Sequence, residues 1–184
     1  MAIEKYTTEC IVVEAYDNGE HDRAYKLFTK DFGLVTAHAK SIRKLESKLR
    51  SHILPRSVSL VTLVQGREVW RLVGAEGKES NKEYIHEITS LIKRFIRGEG
   101  AHKALYNRVI LFTESAAGYD QSLSRILLYY IFLVELGYAD AKVIGAKNIQ
   151  EYAKWSVDDL YTHIVLAQTD VRKHVHEVLK EMQL

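Results

Sequence analysis

Glu76-Gly77-Lys78-Glu79-Ser80-Asn81 separates two periodicities, and the fold class follows from what lies on either side of it. The stretch is wholly polar and includes the glycine and serine of a connection. Upstream, residues 1 to 76 read as short strands divided by turn signals, with almost no helical periodicity. Downstream, Tyr84, Ile85, Ile88, Leu91, Ile92, Phe95 and Ile96 fall at i, i+1, i+4, i+7, i+8, i+11 and i+12, which gathers them on one face of a helix. The expectation is an α+β chain, with an all-β module over 1–78 and an all-α helical module over 79–184.

Moving upstream, Glu68 to Gly74 and Ser57 to Gln65 form a hairpin across Gln65-Gly66-Arg67. Before them a strand alternates cleanly: Val35, Ala37 and Ala39 point one way, Thr36, His38 and Lys40 the other, so one face is core and the other wet. Two earlier strands run from Thr7 to Tyr16 and from Ala24 to Thr29, divided by the turn residues Asp17-Asn18-Gly19-Glu20. Five strands with one long basic connection predict a small closed barrel.

Moving downstream, the first helix is expected to stop at Gly98, a second to run from Ala101 to Ser115, and a third from Gln121 to Leu136. The third is apolar nearly all round from Ile126 to Val134, which places it at the centre of a bundle. A last helix is expected from Ser156, where Ser156 and Asp159 fit a capping box, toward Met182.

Composition is that of an ordinary globular protein, and a single proline argues against long disordered stretches. Cys10 is the only cysteine, so one chain can form no intramolecular disulfide and no cysteine-based zinc site; a reducing, cytosolic setting fits this. An early acid, Glu4, and the lack of a long charge-free run argue against a secretion signal and a membrane span.

The formal charge of +2 is small, but the charges cluster. Between Lys40 and Arg56 stand Lys40, Arg43, Lys44, Lys48, Arg50 and Arg56, with His52, against the single acid Glu46. Flexible cations on a barrel neutralise phosphates whatever the base sequence, so DNA or RNA is the expected ligand. A charge run is otherwise a solvated loop, and the shortage of acids weighs against that here. Arg23, Arg67 and Arg71 are weaker candidates for the same role. Tyr6, Tyr16, Tyr25, Phe28, Phe32 and Trp70 include possible stacking platforms, although core packing is the commoner use of such residues. His174 and His176 diverge on a helix, and Asp170, His174 and Glu177 read as a solvated face. No catalytic constellation or phosphate-binding glycine loop is found, so neither an enzyme nor a cofactor is expected.

The order of short motifs in the first half resembles the RecO family of bacterial recombination mediators. The run Asp17-Asn18-Gly19-Glu20-His21-Asp22-Arg23 is similar to the family's D-Y-G-E-x-D-R turn. Leu27-Phe28-Thr29, Gly33 to Lys40, Arg43-Lys44, Ser47 to Arg50, Leu54-Pro55 and Val69 to Leu72 follow in the family's order. In the helical half only Leu133, Leu136, Gly137 and Tyr138 match, and Ala139-Asp140 stands where many relatives continue into a proline and a zinc-holding lobe. Ser41-Ile42 stands where relatives commonly have Gly-Ala.

The resemblance implies an OB-fold that binds single- and double-stranded DNA, anneals complementary strands and works with RecR to load RecA. It also implies contact with the tail of the single-stranded DNA-binding protein, and a cytoplasmic, nucleoid-associated setting in a bacterium. Two alternatives stay open: an adaptor docking a RecR-like partner with little DNA affinity of its own, and an OB-fold that takes RNA.

Overall fold

Gly19 adopts φ +78 and Gly33 φ +72, left-handed conformations that glycine takes without steric cost. Just at these points the chain reverses to pair β1 (Lys5–Asn18), β2 (Asp22–Thr29) and β3 (Gly33–Ala39). Gly33 is also required by space, because a Cβ there would lie 2.1 Å from the carbonyl oxygen of Gly100. The structure is a computed structural model that describes residues 4–66, 69–80 and 83–182.

β1 pairs antiparallel with both β2 and β4 (Val58–Gln65), and β4 continues into β5 (Trp70–Lys78) through a hairpin whose ends are Gln65 and Trp70. β5 closes the sheet on β3 by a short parallel pairing, Ala37 with Trp70 and His38 with Arg71. The order β1-β2-β3-β5-β4 is a closed five-stranded barrel, the OB-fold arrangement. A bulge between Val12 and Glu14 switches which side chains of β1 face inward. The interior is filled by Cys10, Val12, Tyr25, Leu27, Val35, Ala37, Val61, Leu63, Trp70 and Leu72. Trp70, Tyr6 and Phe32 pack ring against ring at one end, with centroids 5.1 to 5.8 Å apart.

The chain divides into two compact units between Tyr106 and Asn107. The first holds the barrel and α1 (Ile85–Phe95), which packs its buried face of Ile85, Ile88, Leu91, Ile92 and Phe95 beside β1. α1 ends before Gly98, because Ile96 is already extended with ψ 130 and its side chain is buried. α2 (Lys103–Ser115) begins in this unit, where Tyr106 lies against Phe28.

In the second unit α3 (Gln121–Glu135) is the centre, with Leu127, Leu128 and Tyr130 to Val134 all buried. Asp120 caps its start by accepting from the Leu123 N–H. Its end is a Schellman motif: Gly137 takes φ +79, the Gly137 N–H donates to Val134 O, and the Tyr138 N–H to Leu133 O. That motif gives the Gly-Tyr pair a physical role. α4 (Ile149–Lys154) and a 3-10 turn over Ala141–Ile144 lie between α3 and the capping box of Ser156 and Asp159, and both are additional to the helices expected from sequence.

The single terminal helix expected from Ser156 is two helices, α5 (Val157–Leu166) and α6 (Gln168–Glu181). Ala167, at φ −106 and ψ 24, breaks the run although its N–H still reaches His163 O and its carbonyl accepts from Val171. No glycine or proline marks the site; each helix packs separately against α3, so tertiary packing sets the break. His174 is partly buried on α6 with its Nε2 shielded and unpartnered, and Glu177 pairs with Lys173 at 3.9 Å. Among the described residues no group of three or more His, Cys, Asp or Glu is placed to hold a metal ion, and no helix is long and apolar enough to cross a membrane.

Candidate nucleic-acid interface

The segment between β3 and β4 leaves the barrel at Ser41 and returns at Arg56, and both residues are left-handed, with φ 52 and φ 61. Asp22 Oδ1 accepts from the Ser41 N–H at 2.7 Å, and the Arg56 N–H donates to Val12 O at 2.7 Å. Between these ends Ile42 and Ile53 are each 1 % exposed and join the barrel core, with Leu49 partly buried beside them. Apolar anchoring of this kind turns a charge run into a fixed display. Its backbone is a series of turns, Lys44 N to Ser41 O, Ser47 N to Lys44 O and His52 N to Leu49 O. His52 itself is tied down: its carbonyl accepts from Ser59 Oγ at 2.8 Å, and its Nδ1 accepts from the Gly77 N–H at 3.4 Å.

Lys40, Arg43, Lys44, Lys48, Arg50 and Arg56 are all exposed. Among the described residues no carboxylate pairs with Lys40, Lys44, Lys48, Arg50, Arg56 or Arg71. Elsewhere on the same unit lysines do find acids, Lys78 and Lys30 at Glu9, Lys93 at Glu14 and Lys103 at Asp31. Unpaired cations keep their full attraction for a phosphate.

Those of the predicted residues that line clefts do so in more than one place. Arg23, Arg43 and Arg50 line a cleft of about 220 Å³ with Tyr25 and Ile42. Arg56 lines a different groove, with Glu14, Pro55, His86 and Lys93. Arg71 lies on the outside of β5, in register with His38. Arg67 lies outside the described residues. Arg23 and Arg43, moreover, are engaged: Asp17 accepts from Arg23 Nε at 2.9 Å and pairs with Arg43 at 3.4 Å. The Arg23 guanidinium is pushed above its usual range by that carboxylate.

Of the aromatics, Phe28, Tyr25 and Trp70 are buried and Tyr6 and Phe32 partly so, as core packing requires; only Tyr16 stands 47 % exposed. Register places Tyr16 opposite Ala24, Ala24 opposite His38 and His38 beside Arg71, one row across the outer face of four strands. His38 is fixed by Asn18, whose Nδ2 lies 3.0 Å from His38 Nδ1. Lys26 shares that face, two residues from Ala24. The sequence reading missed Lys26, although alternation along β2 would have put it there.

The class defined by this geometry is a small OB-fold protein whose barrel carries an anchored, acid-poor basic segment, followed by a helical domain. Residues 1–81 match the family described as Recombination protein O N terminal. Over this first domain the chain is similar to the RecO family. The DNA repair protein RecO of Dehalococcoides mccartyi (strain CBDB1) is 36% identical over 75 residues, covering 41% of this chain and 30% of that protein. That of Heliobacterium modesticaldum is 33% identical over 75 residues, 41% and 28% of the two chains. That of Thermodesulfovibrio yellowstonii is 36% identical over 80 residues, 44% and 27%. The match thus spans less than a third of the length of each of these relatives.

Proposed function

We propose that this chain acts in DNA repair and homologous recombination as a non-enzymatic mediator, gripping DNA by its backbone. The observation that carries the reading is the anchored segment between Ile42 and Ile53, which displays Lys44, Lys48 and Arg50 with no carboxylate paired to them among the described residues. Such a surface holds single or double strands with little sequence preference. Holding two strands at once lowers their mutual repulsion, which is what annealing needs. RecR, the tail of the single-stranded DNA-binding protein and, indirectly, RecA are the partners this reading carries, in a bacterial cytoplasm at the nucleoid.

The test is binding of a fluorescent single-stranded oligonucleotide across a salt series, by the native chain and by one with Arg43, Lys44, Lys48 and Arg50 changed to alanine. Affinity should fall steeply with salt, and the variant should show a shallower slope, by about 0.7 for each phosphate it no longer neutralises. A second reading has its own observation: Leu45 is 92 % and Leu54 53 % exposed on the same segment, as a protein-docking surface would have them. Equal binding by native chain and variant would favour that adaptor, and preference for an RNA competitor of the same sequence would move the assignment to RNA.

A further inference from the structure

The cleft of Arg23, Tyr25, Ile42, Arg43 and Arg50 is where the β1–β2 turn meets the segment after β3. Asp17 and Arg23 are cross-strand partners beside that turn. Arg43 is held over the turn by its own backbone, whose N–H donates to His21 O at 3.0 Å, and by Nη1, which donates to Gly19 O at 3.1 Å. The guanidinium groups of Arg23 and Arg43 therefore converge on one carboxylate. Its Oδ1 takes Nε and Nη2 of Arg23, both at 2.9 Å, and its Oδ2 faces Arg43 at 3.4 Å. Arg50 lines the same cleft, and among the described residues no carboxylate pairs with it.

A carboxylate held by one guanidinium and faced by a second presents the same paired oxygens and single charge as a phosphodiester, and a terminal phosphate adds one more oxygen and further charge. Asp17 is 49 % exposed, and the arginines are 32 % and 37 % exposed, so the pairing is worth little in water and yields readily.

We propose that Arg23, Arg43, Arg50 and Tyr25 form a seat for a single phosphate group at the mouth of the barrel, and that Asp17 is the internal counter-ion which the phosphate displaces. The seat rests on the reading of the barrel as a backbone-gripping surface, and it adds a discrete, gated site to a diffuse one. Asp17 weakens binding in this arrangement: it keeps the arginines aligned in the empty cleft and competes for them when a strand arrives.

The test uses the full chain and the substitution Asp17→Asn, which keeps the size and a hydrogen-bonding oxygen but removes the charge. The variant should bind the fluorescent oligonucleotide about two- to fivefold more tightly at low salt, the value of one exposed ion pair. Arg23→Gln should weaken it by a similar factor. Sodium phosphate, compared with sodium chloride at equal ionic strength, should raise the melting temperature of Asp17→Asn more than that of the native chain. Oligonucleotides with a 5′-hydroxyl and a 5′-phosphate separate an internal phosphodiester from a terminal phosphate as the occupant.

Loss of binding in the quadruple loop variant, together with unchanged or weaker binding by a folded Asp17→Asn, would overturn the gate and leave the backbone-gripping reading standing. Native-like oligonucleotide binding by the quadruple variant would overturn that reading instead. The phosphate-dependent melt does not involve DNA, so it judges the seat by itself: equal shifts in both proteins sink it. Should Asp17→Asn melt too early to assay, native-like oligonucleotide binding by Arg23→Gln would overturn the proposal.

Discussion

Ser41 occupies a left-handed position, φ 52, at the point where the basic segment leaves the barrel. A side chain with a Cβ is strained there by roughly 1–2 kcal/mol, which glycine avoids at some cost in unfolded-state entropy. Ser41→Gly should therefore stabilise the chain by about 0.5–1 kcal/mol in urea unfolding. The Ser41 N–H bond to Asp22 involves only the backbone on this side and survives the change.

Asp31 illustrates a different residue-level dependence. Its carboxyl is held below the ordinary value of 3.8, first by Lys103 and then by the Thr8 hydroxyl, at 2.9 and 2.7 Å. A depressed folded-state pKa gives stability that is fully present above about pH 3.8 and disappears as the pH falls through the lower, folded value. Lys103 is 62 % exposed, so the contribution is no more than about 1 kcal/mol. Asp31→Asn should be the less stable protein at neutral pH, and the two melting curves should converge below pH 3.8.

At the scale of elements, Arg108 on α2 does for the second unit what Ile42 and Ile53 do for the basic segment. Its Nε donates to Glu135 of α3 at 2.7 Å, Nη1 to Trp155 O at 3.0 Å, and its guanidinium lies 4.7 Å from the Tyr152 ring centroid. Arg108 and Glu135 are 11 % and 10 % exposed, and removing one partner leaves the other charge out of water. Arg108→Ala should cost about 3 kcal/mol by urea unfolding, and a double change of Arg108 and Glu135 to methionine should cost less than the single one.

What was legible at this scale, and what was not, has a physical cause. The alternation of Val35, Ala37 and Ala39 and the 3.6 spacing from Tyr84 to Ile96 are local signals, and β3 and α1 lie where they point. The capping box at Ser156 was equally legible, being four residues of self-contained chemistry. The break at Ala167 has no local sign, since only packing against α3 distinguishes it from a continuing helix. Likewise the composition of residues 40–56 announced a basic surface, but the capture of Arg23 and Arg43 by Asp17 needs three strands and a loop in register, and no linear pattern carries it.

At the scale of the whole molecule, a formal charge of +2 conceals a division of labour. Acids on the barrel are neutralised locally, Glu9 by Lys30 and Lys78, Glu14 by Lys93, Asp31 by Lys103, while among the described residues Lys44, Lys48 and Arg50 pair with no carboxylate. On the proposed reading, long-range attraction for a polyanion would come chiefly from this segment of a nearly neutral chain.

Cys10, the only thiol, is completely buried on β1 among the interior side chains, and burial pushes its pKa far up. A maleimide reagent reaches it only when β1 parts from β2 or β4, so the rate of alkylation counts barrel openings directly. Labelling should be slow in the native chain and rise in step with urea before the bulk transition, and bound oligonucleotide should slow it further. The barrel thereby keeps its own clock, readable by mass spectrometry without any added probe.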